Sequence, residues 1–300
     1  MVVLGIVFAF IVSLIYSVYA IPRKFSKQHP TLYTMWLGIA YLIGSLIFVI
    51  VAVYIFGFIE KENIFDFSVH WASIARALVW TMGMVTFNIA IDKIGLFKFN
   101  QWKNIQGPIG SILMLTLLVN DVVSDKVIWV ILGMIVMLVS ATLFTIKQDG
   151  DDKKTTKTGI LLALFAGVCF GIGAYFNKWV SIQGYIYCQM LYHSFFIVLF
   201  AATFYMFQAK RPKDIFKVEK RVFLPAITGL LFMTATILNI FSYRWISGSI
   251  SFSITQLNVF WTMLIGIVLF KEISFKKHWL RISTGVVLAI EAIILLLFAL

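Results

Sequence analysis

The sequence predicts an all-α integral membrane protein with ten transmembrane helices, arranged as two inverted five-helix repeats (5+5). Three observations support this prediction: a very apolar composition, ten long apolar runs, and a polar stretch at mid-chain that separates two similar halves. Hydrophobic residues make up 61% and charged residues 13% of the 300 residues, whereas about a quarter of a soluble domain is charged. A water-soluble protein of this length could not bury so much apolar surface, so we expect lipid to be the solvent.

Each apolar run is long enough to cross a bilayer, which takes about 20 residues of helix. The first run begins almost at Met1 without a preceding basic segment, so we expect a membrane span there rather than a cleavable signal peptide. The predicted spans are residues 2–20, 32–58, 71–91, 97–119, 127–146, 159–180, 185–208, 222–245, 249–270 and 279–300.

The two halves of the chain resemble each other. The stretch from Gly5 aligns with the stretch from Gly159 without a gap, and Asn88 of the third span falls opposite Asn239 of the eighth. We therefore predict one repeat at residues 1–146, a polar linker at 147–158 and a second repeat at 159–300. Two copies of five spans must insert in opposite orientations, which is the plan of many secondary transporters and places the substrate between the halves.

The distribution of basic residues predicts the orientation. The odd-numbered loops carry most of the 25 Lys and Arg residues, and the even-numbered loops carry only Lys61, Lys126, Lys178 and Arg244. Because basic loops stay in the cytoplasm, we expect a multi-pass protein of the cytoplasmic membrane with both termini outside. This pattern also explains the net charge of +12 without nucleic-acid binding.

Polar residues inside the spans are the candidates for a substrate site. The densest patch opens the fourth span, where Asn100, Lys103 and Asn104 share one helical face just before Gly107 and Pro108. Carboxamides and hydroxyls beside aromatic rings suit a neutral polyol, and Lys103 leaves an anionic solute open. A single Ser or Thr more often ties one helix to another. The predicted substrate-binding residues are Trp80, Asn88, Asn100, Lys103, Asn104, Asn177, Asn239, Tyr243, Ser253 and Gln256.

Three further ionisable residues fall within predicted spans. His193 and Glu291 could relay protons, since His titrates near neutral pH and a desolvated Glu can approach it; a structural role is the alternative for both. We expect the tenth span to be peripheral, which counts against Glu291. Arg76 lies near the start of its predicted span and is expected to extend towards the membrane interface.

The sequence contains no signature of an enzyme or of a bound cofactor. No span carries paired carboxylates or an HExxH motif, and no P-loop is present, so neither membrane-embedded catalysis nor direct use of ATP is indicated. A receptor or scaffold remains an alternative, although neither requires two matching halves. We expect no enzymatic activity and no cofactor.

The chain also resembles the drug/metabolite transporter superfamily. Leu118-Val119-Asn120-Asp121 and Phe270-Lys271-Glu272-Ile273 each end an apolar run with an acidic residue before the last span of a half. Residues 251–257 are similar to the ninth span of bacterial glucose/ribose porters, and residues 19–24 with Met35-Trp36 are similar to L-rhamnose–proton symporters. The resemblance implies sugar uptake by proton symport, with Ser253 and Gln256 in the site. The fourth span departs from the porters, because Gln101-Trp102-Lys103-Asn104 stands where small hydroxyl residues are expected.

Together these observations predict a secondary-active transporter that moves a sugar or sugar-like metabolite by alternating access. An exporter of amino acids, nucleobases or drugs is the alternative. The expected partners are a small polar substrate and membrane lipid. Proton coupling and the choice between monomer and homodimer stay open.

Overall fold

The computed structural model describes residues 1–55, 67–118, 121–144, 146, 156–183, 186–208, 222–271 and 273–300. The predicted linker, apart from residues 156–158, lies outside these residues, as do Asn120 and Glu272. The described helices are α1 (Val2–Val18), α2 (Ile21–Phe25), α3 (Pro30–Val49), α4 (Phe67–Ile94), α5 (Leu96–Lys103), α6 (Gln106–Leu117), α7 (Val127–Phe144), α8 (Lys157–Gln183), α9 (Ile186–Gln208), α10 (Phe223–Trp245), α11 (Gly248–Thr255), α12 (Asn258–Val268) and α13 (Phe275–Phe298).

The prediction of an all-α, multi-pass membrane protein is confirmed. Within the described residues, nine helical segments are long and apolar enough to cross a membrane, and they coincide with nine of the ten predicted spans. In the most apolar part of each span, 72% of the residues are buried for Gly248–Val268 but only 28% for Phe275–Phe298. The α11–α12 segment is therefore enclosed by other helices, whereas α13 exposes most of its surface, including Val287 and Ile290.

The fourth predicted span is not one continuous helix. It is interrupted by the turn Asn104-Ile105 between α5 and α6. Pro108 occupies the first turn of α6, where a backbone N–H has no partner within the helix and its absence costs little. A proline therefore favours a helix start here, and the apolar run alone does not reveal the break.

The ninth span is broken in the same way, at the turn Gln256-Leu257 between α11 and α12. The Gln256 N–H donates to the Ser253 carbonyl at 3.1 Å, so the chain tightens before it turns. The Thr255 hydroxyl donates to the Phe252 carbonyl at 2.7 Å, and the Asn258 carboxamide donates to the Thr255 carbonyl at 2.9 Å. These side chains satisfy carbonyl groups that a continuous helix would have paired.

Four close pairs of long helices and one crossing of the broken spans organise the bundle. In these contacts α4 packs on α8, α1 on α10, α3 on α9 and α7 on α13, while α6 crosses α11. Glycines in α8 allow the broken fourth span to approach closely. A Cβ atom at Gly167 would lie 2.7 Å from the Lys103 carbonyl oxygen, and one at Gly171 would lie 3.0 Å from that of Gln106.

Candidate functional site

A central cavity lies between the broken spans and the helices around them. The space between these helices has an empty volume of about 530 Å³, including the part continuous with solvent. Both ends of the chain contribute to it. Its lining consists of Tyr16, Tyr19, Arg76, Trp80, Lys103, Gln106, Phe170, Gly173, Ala174, Asn177, Phe232, Asn239, Phe252 and Asn258.

Aromatic rings form one wall of the cavity. The ring centroids of Trp80 and Phe232 are 4.4 Å apart, and Tyr19 lies 6.3 Å from Phe232. Phe170 extends the wall beyond Trp80, at 6.4 Å. Such offset and tilted rings stabilise one another, and together they offer flat apolar faces against which the C–H groups of a sugar ring can pack.

Four carboxamide side chains supply hydrogen-bonding groups at the same cavity. Asn177 accepts a hydrogen bond from Gln189, and Gln106 donates one to the Gln256 carboxamide oxygen at 3.1 Å. The Asn239 carboxamide oxygen is buried and has no partner among the described residues. Leaving a buried amide oxygen without a hydrogen bond costs free energy, so this oxygen is available to accept a hydrogen bond from a ligand hydroxyl group.

Two basic side chains complete the lining. Arg76 is 3% exposed and Lys103 is 4% exposed, and the Arg76 Nη1 atom has no hydrogen-bond partner among the described residues. Within the part of the chain that the structure describes, no acidic side chain lines the cavity. A charge at mid-bilayer costs about 2.5–3.5 kcal/mol on insertion scales, so two such cations in one cavity require a functional or structural explanation.

A cluster around Asp121 lies near the start of α1, where Asp121 and Lys178 line a separate recess with Val2. The Asp121 carboxylate accepts hydrogen bonds from the Gly248 and Ser249 N–H groups at 2.8 and 3.0 Å, and the Lys178 ammonium group lies 3.6 Å away. Burial raises the pKa of Asp121, but the Ser249 hydroxyl, Lys178 and these N–H groups outweigh burial and hold it below its ordinary value. The carboxylate therefore stays ionised at neutral pH.

A second ion pair lies at the opposite end of α1. Arg23 bonds to the Asp92 carboxylate, and its Nη1 atom donates to the Gln28 carbonyl at 2.8 Å. Its guanidinium carbon also lies 5.3 Å from the centre of the Tyr33 ring. The bundle is thus tied by ion pairs at both ends, with the apolar and amide-rich cavity between them.

Comparison with known proteins identifies the family. A family model described as "Sugar transport protein" matches residues 43–299. The chain belongs to this family. This family is a sugar transporter branch of the drug/metabolite transporter superfamily, of the glucose/ribose porter type. The resemblance stated from the sequence is therefore confirmed. The family implies a sugar transporter rather than an enzyme.

Solved structures match the fold. One of them, titled only "Crystal structure of protein", aligns with a TM-score of 0.70 over 98% of this chain and 96% of its own, at 10% sequence identity. At that identity the likeness shows the fold alone. No curated protein matches this chain.

For this sugar transport protein, the structure separates the predicted substrate-binding residues into groups. Trp80, Lys103, Asn177 and Asn239 line the central cavity. Asn104, Ser253 and Gln256 instead line a smaller cleft that faces Met134 and Met137 of α7. Through its hydrogen bond to Gln106, Gln256 connects the cleft to the cavity lining.

The other three predicted residues lie away from the cavity lining. Asn88 donates to the Thr34 hydroxyl at 3.1 Å, an interaction that ties α4 to α3. Asn100 is buried in α5 but does not line the cavity. Tyr243 lines a recess next to Asp121 and Lys178.

The prediction that Arg76 extends to the interface is wrong. The predicted span began at residue 71, but α4 begins at Phe67, so Arg76 lies about 14 Å inside the helix at 1.5 Å per residue. Its position one turn before Trp80 also puts both side chains on one helical face. That spacing was the sequence feature that could have identified it.

Other lining residues were not predicted as binding residues. Tyr16 lies on α1 and Tyr19 directly follows its last residue, and Gln106 and Asn258 each begin a helix directly after a break. On a continuous ninth helix, Asn258 would point away from Gln256, two positions earlier. The turn changes that direction, and only the structure shows it.

The two predicted proton carriers occupy different environments. His193 is fully buried, and its Nδ1 atom lies 3.3 Å from the Tyr41 hydroxyl. Its ring centre is 5.9 Å from that of the cavity residue Trp80. Glu291 is exposed on the outer surface of α13 and is not among the cavity-lining residues.

Proposed function

We propose that this protein is a secondary-active transporter that carries a sugar across the cytoplasmic membrane by alternating access, and that the central cavity is its substrate site. The choice of a sugar as the substrate rests on the family to which the chain belongs. The observation that carries the proposal is the cavity itself, whose lining combines an aromatic wall with buried carboxamides. Sugars are commonly bound by this combination, because rings cover C–H faces while amides bond hydroxyl groups.

Helix packing supports two inverted repeats, residues 1–146 and 159–300 joined by the linker 147–158. If the spans of the two repeats correspond in order, the contact of α1 with α10 corresponds to the contact of α8 with α4, and both are close. The pairs α3–α9 and α7–α13 each join corresponding spans. The two helix breaks also fall in corresponding spans, as expected where discontinuous helices frame a substrate site.

The proposed orientation follows from the basic loops and places both termini outside. In this orientation the Asp121 cluster lies towards the outer side of the bundle, and the Arg23–Asp92 pair lies towards the cytoplasmic side. Alternating access requires each side to open in turn while the central site stays in place. Ion pairs can break and reform without rearranging a packed core. These two clusters are therefore suited to the two ends of the bundle, which must open and close during transport.

For proton coupling we favour His193 over Glu291, because the His193 ring packs against the wall residue Trp80 whereas Glu291 faces outward. An inward proton gradient should then accelerate uptake by the wild type but not by His193→Gln. If Glu291→Gln abolishes the dependence on the gradient and His193→Gln does not, this assignment is wrong.

The experiment that tests the proposed function compares two tryptophan variants in proteoliposomes loaded with buffer. Trp80→Ala removes part of the cavity wall, whereas Trp129→Ala removes a ring on the outer surface of α7 that is 38% exposed. We expect Trp80→Ala to reduce the uptake of a radiolabelled aldose at least about tenfold, the effect of losing one stacking interaction and its apolar burial. Trp129→Ala should transport normally.

Equal uptake by both variants would contradict the central site. Efflux of amino acids or nucleobases from preloaded vesicles, without transport of any sugar, would contradict sugar transport and favour the exporter. Both variants are checked for folding by size-exclusion chromatography and thermal unfolding, so that a lost activity is assigned to the site.

A further inference from the structure

The central cavity is electrically unbalanced. Its lining contains the guanidinium of Arg76 and the ammonium of Lys103 and, among the described residues, no carboxylate. The four acidic residues in the described part of the chain are all elsewhere. Asp92 pairs with Arg23 and Asp121 with Lys178, Asp125 lies in the short helical turn before α7, and Glu291 is exposed on α13.

The Arg76 guanidinium is not explained by its protein surroundings. Arg76 shares the cavity lining with Tyr16, and its Nη1 atom has no hydrogen-bond partner among the described residues. A neutral phenol does not compensate a buried positive charge as a carboxylate would. A guanidinium group is a planar fork that binds a carboxylate or a phosphate through two parallel hydrogen bonds.

Lys103 is placed differently from the basic residues of the loops. It is the last residue of α5, directly before the break, and its backbone carbonyl is held against Gly167 of α8. The backbone is therefore fixed where the side chain enters the cavity lining. Its ammonium group is a point charge on a flexible stem, which can follow an anionic group of a bound molecule.

We infer that the substrate is an anionic sugar, whose acid group is held by Arg76 and Lys103 while its ring packs on the aromatic wall. This inference rests on the proposed function and names the substrate class of the same site. The Asn239 carboxamide oxygen, which has no partner among the described residues, is available to accept a hydrogen bond from one of the sugar hydroxyl groups. The acid group is a carboxylate, as in a uronate or aldonate, or a phosphate ester.

The test measures binding to the purified full-length protein by isothermal titration calorimetry, with D-glucose, D-glucuronate and D-glucose 6-phosphate as ligands. We expect at least one of the two acidic sugars to bind about tenfold more tightly than glucose, since hydrogen bonds to charged groups are the stronger ones. Comparing glucuronate with glucose 6-phosphate distinguishes a carboxylate from a phosphate. Inorganic phosphate serves as a control for binding of the anion without the sugar.

Variants assign the preference to the two cations. Lys103→Met and Arg76→Gln should each weaken binding of the acidic sugar about tenfold more than they weaken binding of glucose, whereas Lys103→Arg should retain most of the preference. Lys276→Met, which removes an exposed charge at the start of α13, is the matched control and should have no effect. Circular dichroism and thermal unfolding identify a variant that fails to fold. In that case the preference of Lys103→Arg for the acidic sugar over glucose is the deciding measurement, and its loss in a folded protein would overturn the inference.

The outcomes separate this inference from the proposed function. Glucose binding as tight as that of both acidic sugars would overturn the anionic substrate but leave sugar transport intact. An equal loss of glucose and acidic-sugar binding in Lys103→Met would also overturn it. If no sugar binds or is transported, the proposed function fails and this inference fails with it.

Discussion

The two broken spans share a backbone design but carry different side chains. At the ninth-span break, the Thr255 and Asn258 side chains bond to carbonyl groups of the same segment. At the fourth-span break, both polar atoms of the Asn104 carboxamide are without a partner among the described residues, and Lys103 lines the cavity. The ninth-span break is therefore stabilised by its own residues, whereas the fourth-span break leaves the Asn104 carboxamide unpaired among the described residues and places Lys103 at the cavity.

The two breaks also support each other directly. Gln106 donates to Gln256, and the hydroxyl oxygens of Ser111 and Ser253 lie 3.2 Å apart. A Cβ atom at Gly107 would lie 2.9 Å from the Gln256 side chain. The cleft residues Ser253 and Gln256 thus hold the fourth-span break in place rather than line the central cavity. Substitutions at the contact between the two breaks should therefore lower the stability of the fold, whereas substitutions in the cavity lining should lower transport.

The largest effect on stability is expected where the two broken spans cross. A Cβ atom at Gly110 would lie 2.4 Å from the Phe252 ring and 3.2 Å from the Gly171 carbonyl oxygen, so Gly110→Val must displace a ring packed beside backbone. We expect a loss of about 1–3 kcal/mol, as for other overpacked sites, measured by thermal unfolding in detergent. Gly173→Ala is the control, because a Cβ atom there meets nothing within 4 Å. A Gly110→Val protein as stable as the wild type would contradict the close crossing.

A smaller effect is expected at Asp121, which joins the segment after α6 to the start of α11. Because its pKa is held below the ordinary value, the stabilisation is complete above the unfolded-state pKa of about 4 and is lost as the pH falls through the folded-state value. Asp121→Asn should lose about 1 kcal/mol at pH 7.

The pH dependence gives the control for that variant. Between pH 6 and pH 3 the wild type should lose more stability than Asp121→Asn, because only the wild type must protonate this carboxylate. Parallel losses in both proteins would show that Asp121 does not carry the acid sensitivity. Asp125→Asn, which changes an exposed carboxylate four residues further on, should behave as the wild type does.

Most of the fold could be predicted because a bilayer imposes a simple rule on the sequence. Nine predicted spans were recovered since each must supply about 20 apolar residues. The fourth was not recovered as one helix, because Gly107 and Pro108 reveal a weak point but not where the chain turns. That position depends on contacts with Gln256 and Gly171, which are distant in sequence.

The site was harder to predict than the fold. Trp80, Lys103, Asn177 and Asn239 could be named because polar and amphipathic residues inside spans are few, and these four line the cavity. Asn104 and Gln256 occupy turn positions, so the face predicted from a continuous helix did not apply to them. Arg76 was assigned to the interface because the start of its helix was placed four residues too late.

The central claim is that substrate occupies the cavity, and Gly173 provides the most direct test of it. A side chain at this position enters open space in the cavity lining, so Gly173→Leu should fill the site without displacing neighbouring residues. Sugar uptake by proteoliposomes, measured beside thermal unfolding, should fall to background in Gly173→Leu at unchanged stability, while Gly173→Ala retains uptake. Normal uptake by a stable Gly173→Leu protein would contradict the claim and place the substrate pathway elsewhere.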